Sequence, residues 1–193
     1  MSLRPEISGF KLDILLSLFG SRNREAAANA AKVVEETVAF DDPREFARVR
    51  QVLEQAITSG RPFADLTAED GSHVYAALGL AAVEQNRTET ESNVWKMGAF
   101  EDLVNQIGTT IEPKALTLLR YFLDGRPLFG KTIQADWSYY AWLSLDELKT
   151  LIAALRAVAQ TDSDPTGDGF LEELTGWLDQ VAAADSDLWF FAS

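Results

Sequence analysis

Residues 112–132 read EPKALTLLRYFLDGRPLFGKT, and the kind of element that carries the chain into Gly125 decides the fold. The last eight residues, GRPLFGKT at 125–132, fit the phosphate-loop pattern G-x-x-x-x-G-K-[ST] at every fixed position. A working phosphate loop joins a buried strand to a helix, so that backbone N–H groups wrap a phosphate and the lysine pairs with the terminal phosphates. The upstream residues point elsewhere. Pro113 suits a first helical position, Leu116, Leu119, Tyr121, Phe122 and Leu123 supply the apolar content of a helix, and Gly125 is a natural stop. Pro127 has no N–H to donate. Downstream, KTIQADWSYY runs into strand-forming aromatics rather than a capped helix. The expected structure is therefore a helix end, a proline turn and an exposed Lys131, with nucleotide binding through 125–132 as an alternative.

The same logic extends outward. EISGFKLD alternates as a strand does, and DILLSLFG follows as a short apolar helix with Asp13 as its cap and Gly20 as its stop. Asn23 is placed to cap a helix whose apolar positions Ala27, Ala30, Val34 and Val38 recur at helical spacing. Asp42, Pro43 and Glu45 together open the next helix, which buries Phe46, Val49, Leu53, Ala56 and Ile57 and ends at Gly60. HVYAALGLAAVEQ is apolar enough to be a central helix, although Gly79 costs it about 1 kcal/mol relative to alanine. AFEDLVNQIG is a helix ending at Gly108. DWSYYAWL is dense in strand formers. It leads into Ser144-Leu-Asp-Glu147, a capping box for a helix with Leu148, Ile152 and Leu155 inward. A last helix carries Phe170, Leu174, Trp177, Leu178 and Val181, and LWFF closes the chain as a strand. These elements predict an α+β, mostly helical single domain over 1–193. Its small sheet is built from N-terminal, central (about 137–143) and C-terminal (about 187–192) strands.

Composition narrows the function. The chain has 193 residues, which buries about 70% of its unfolded surface. Its formal net charge is −13, which disfavours nucleic acid and anionic lipid, both of which need a positive footprint. Absence of cysteine excludes disulfides, thiolate catalysis and Cys-ligated zinc. No apolar run approaches the ~18 residues of a membrane span, and no secretory leader is visible. A cytoplasmic location is expected. From Thr161 onward there are eight acids and no Lys or Arg.

Three chemistries can be placed on residues. The stretch DSDPTGDGFLEE, 162–173, overlays a calcium loop, because hard oxygen ligands in one tight turn can surround the ion. Asp162, Asp164, Thr166, Asp168 and Glu173 are its candidate ligands. Gly169, Phe170 and Pro165 depart from the pattern, and the bland alternative is a polar interhelix loop. Catalysis by histidine would have to use His73, the sole histidine, with a serine brought in by folding. A surface or half-buried residue in a first helical turn explains His73 more simply. With 30 acids, two carboxylates meeting in a cleft is a further enzymatic possibility, though no spacing singles out a pair. Aromatics concentrate toward the C-terminus, and a strand reading WSYYAW has them on both faces. Trp137, Tyr139 and Trp142, with Asp179, Asp185 and Asp187, form a candidate protein-recognition patch.

The order of features also resembles a bacterial domain-of-unknown-function family of roughly two-hundred-residue α+β proteins. The stretches that carry the likeness are LFGSRN, LEQAITSGRPF, GSHVYAALGLAA, YYAWLSLDELKTLIAAL, GWLDQVAAA and LWFF. The resemblance covers most of the chain and implies one bacterial, cytosolic domain. It brings no catalytic residues. A non-catalytic protein that binds a basic protein partner is the leading expectation, a toxin-neutralising immunity protein or an adaptor being concrete versions. No nucleic acid, no membrane and no cofactor other than calcium is implied.

Overall fold

The computed structural model describes residues 5–37, 43–60, 68–86, 97–127, 134–135, 138–161 and 169–192. In chain order the elements are β1 (Pro5–Phe10), α1 (Leu12–Leu18), α2 (Arg24–Thr37), α3 (Pro43–Thr58), α4 (Ala68–Asn86), α5 (Met97–Ile107), α6 (Pro113–Asp124), β2 (Gln134–Ala135), β3 (Ser138–Leu143), α7 (Leu145–Thr161), α8 (Phe170–Ala183) and β4 (Asp187–Ala192). This is the α+β, mostly helical architecture that the sequence predicts. The chain divides into two compact units, residues 1–10, 88–126 and 136–193 in the first, and 11–87 with 127–135 in the second.

In the first unit the C-terminal strand is central. β4 pairs antiparallel with β1 on one side and with β3 on the other. The register sets Phe190 opposite both Ile7 and Ala141, and Trp189 opposite both Ser8 and Trp142. Because side chains alternate along a strand, this register separates two faces. Ile7, Leu188, Phe190, Ala141 and Leu143 join the apolar side chains of α5 to α8 in one core. Its centre is aromatic: Phe100 meets Phe122, Phe170 and Phe190 edge-on, with centroids 5.8, 4.9 and 5.4 Å away. Each such fully buried ring contributes roughly 1.5–3 kcal/mol by leaving water.

The opposite face carries Phe10, Trp189, Tyr140 and Phe191, linked by ring contacts of 5.6, 6.0 and 4.9 Å. The sequence left open whether such residues form an exposed patch. They do not: Phe10, Tyr140 and Trp189 are buried.

Local signals explain the helix ends. Pro113 occupies the first turn of α6, and Gly125, at φ 73°, closes it with its N–H on the Tyr121 carbonyl, 3.0 Å away. The Ser144–Glu147 capping box forms at α7: the Ser144 N–H donates to Glu147 Oε2 at 3.0 Å and the Glu147 N–H donates to Ser144 Oγ at 3.4 Å. At α8 the cap is Gly169, in the left-handed region and without a side-chain bond.

Among the described residues of the second unit, the elements are helices apart from β2. α2 presents Ala27, Ala30, Ala31 and Val34 to its core, where α3 contributes Val49, Leu53 and Ile57, and α4 contributes Val74, Leu78 and Ala81. Asn23 caps α2 as expected, its Oδ1 accepting the Ala26 N–H at 3.1 Å. The Asp13 expectation is corrected: α1 starts two residues earlier, with Lys11 at the cap, and Asp13 sits in the first turn where its charge still favours the helix N-terminus. α4 also starts earlier than its apolar pattern suggests, so His73 is well inside the helix.

Candidate functional site

Among the described residues the most fully built polar arrangement surrounds Arg126, the second residue of the phosphate-loop-like string. Its guanidinium forks onto Glu147, Nη1 to Oε2 at 2.7 Å and Nη2 to Oε1 at 2.9 Å, while Nη1 also donates to the Trp142 carbonyl at 2.9 Å. The planar group lies 3.7 Å from the Trp142 ring centroid and 4.8 Å from that of Tyr121. Its own N–H donates to the Tyr140 carbonyl at 2.9 Å. The Arg126 side chain is only 15% exposed and that of Glu147 26%. Burial alone would push the Glu147 carboxyl up. The bond from Arg126, the Ser144 N–H, the guanidinium charge and the Ser144 hydroxyl outweigh it and hold the carboxyl below its ordinary value. The fork onto Glu147 and the bonds to the Trp142 and Tyr140 carbonyls fasten the end of α6 to β3 and the start of α7.

A helix, not a strand, therefore enters Gly125, and the residues that follow Lys131 and Thr132 within the described structure are the strand β2. Residues 128–133 lie outside the described structure, as do Asp162, Asp164, Thr166 and Asp168 of the calcium-loop overlay, and Trp137 of the aromatic patch. Glu173 is described. It is half-buried in the first turn of α8, its N–H on the Gly169 carbonyl at 3.2 Å. Among the described residues no group of three or more His, Asp or Glu side chains could hold a metal ion.

The remaining patch residues have internal work. Trp142 is half-buried under Arg126, and its indole N–H is enclosed without a hydrogen-bond partner among the described residues, as is that of Trp189. Asp187 Oδ1 accepts the Leu145 N–H at 2.8 Å, which satisfies one of the orphan donors at the start of α7 from a strand 42 residues away. Asp179 pairs with Arg156 at 2.6 Å on the surface. Asp185 is exposed in the turn after α8 with φ 52°, its N–H on the Ala182 carbonyl at 3.0 Å. Tyr139 lies on β3. Of the patch residues whose side chains the structure describes, Trp142 and Asp187 are half-buried, Asp179 is paired with Arg156 and Asp185 is exposed.

Sequence reasoning did not anticipate a groove of about 720 Å³ along α7. Thr150, Ala153, Ala154, Ala157 and Thr161 line it from the helix, and Thr110, Ile111 and Glu112 from the α5–α6 turn. The signal that could have revealed it is the spacing of small residues at 150, 153, 154, 157 and 161, a stripe with a helical period. Its hydroxyls are already committed as donors, Thr110 to the Ile107 carbonyl at 3.0 Å, Thr150 to Asp146 at 2.8 Å and Thr161 to Val158 at 2.8 Å.

Fold and site together define a small α+β protein in which, among the described residues, the Arg126–Glu147 pair joins α6, β3 and α7. The chain belongs to the family described as "Domain of unknown function (DUF7691)", whose family model matches residues 1–193. No curated protein and no solved structure matches it. Among the described residues no helix is long and apolar enough to cross a membrane.

Proposed function

We propose that this is a non-catalytic bacterial protein of the cytoplasm that works by binding a basic protein, in an immunity-like or adaptor role. One observation carries the proposal: no Lys or Arg occurs beyond Arg156, while eight acids do, and Arg156 itself is engaged by Asp179. Such an uncompensated field steers a cationic partner and raises its association rate. The Arg126 cluster supports a binding rather than a catalytic role, since the Glu147 carboxylate is already taken up by arginine and serine. A tagged protein exposed to host extract at about 50 mM salt should retain a basic protein that about 500 mM salt releases, the Debye length falling from roughly 14 to 4 Å. The doubly reversed Glu172→Lys/Glu173→Lys protein should retain much less. Failure to retain any basic protein at low salt, or equal retention by the reversed protein, removes the proposal.

A further inference from the structure

We draw no further inference here: the strongest candidate, the pair of enclosed indole N–H groups that Trp142 and Trp189 carry opposite one another on β3 and β4, carries nothing because nothing among the described residues shows a space that both face or what acceptor would meet them.

Discussion

Replacing Arg126 by alanine should cost about 4 kcal/mol at neutral pH. The substitution removes both bonds to Glu147 and the bond to the Trp142 carbonyl. It leaves a carboxylate only 26% exposed with no cation beside it. Breaking a buried pair from one side costs about 3–5 kcal/mol, and partial exposure places this one near the lower limit. Losing the stacking on Trp142 and Tyr121 adds roughly 0.5–1 kcal/mol for each ring. In a chain of this length about 4 kcal/mol lowers Tm by about 8–16 °C. Far-UV circular dichroism and tryptophan fluorescence followed through urea and heat would measure it, Trp142 itself being a reporter. Arg126→Lys should lie between the two, since a point charge cannot fork or stack. A loss below about 1 kcal/mol for Arg126→Ala would refute the view that this cluster fastens the first unit.

The pH dependence has a definite sign. Glu147 is held below its ordinary value of 4.5 in the folded protein, so its stabilisation is complete above about 4.5 and is lost as pH falls through the lower folded value. The stability difference between the parent and Arg126→Ala should therefore be constant from pH 7 to about 5 and shrink below that range. A difference that grows on acidification would show that repulsion elsewhere governs.

Three further outcomes test the local physics. Gly125→Ala should destabilise by about 1–3 kcal/mol, because φ is 73° and the added methyl would sit 3.3 Å from the Tyr140 carbonyl oxygen; Gly176→Ala, mid-helix with nothing within 4 Å of the new atom, should instead stabilise by about 0.5–1 kcal/mol, and denaturant midpoints compare the two. Asn23→Ala should cost about 1 kcal/mol by removing the α2 cap, a loss read in the same melts that a silent result would contradict. Millimolar ATP with magnesium should leave Tm unchanged, and a rise of several degrees abolished by Lys131→Ala would restore the nucleotide alternative.

What the sequence disclosed was local. Pro113 with Gly125, Asn23, and Ser144 with Glu147 mark helix ends because each supplies or omits a backbone bond within four residues of itself, and the structure places helix termini at all of them. Asp13 misled because an acid in a first turn is favoured by the dipole whether or not it is the cap. The central position of β4 was not readable, since LWFF fixes that it is apolar and not which strands flank it. The role of Arg126 was equally hidden. Its partners Trp142 and Glu147 are 16 and 21 residues away and are assembled only when β3 pairs and α7 packs. The burial of Tyr140 was hidden for a related reason: alternation says that Tyr140 and Ala141 face opposite ways, but not that both are buried.

The GRPLFGKT string shows why a residue pattern and a chemistry are separable. A phosphate cradle requires backbone N–H groups that point at the ligand with no other partner. In the described part of the string the Gly125 N–H is given to Tyr121, the Arg126 N–H to Tyr140, and Pro127 has none. The arginine that in another setting could meet a phosphate is already forked onto a carboxylate of its own chain.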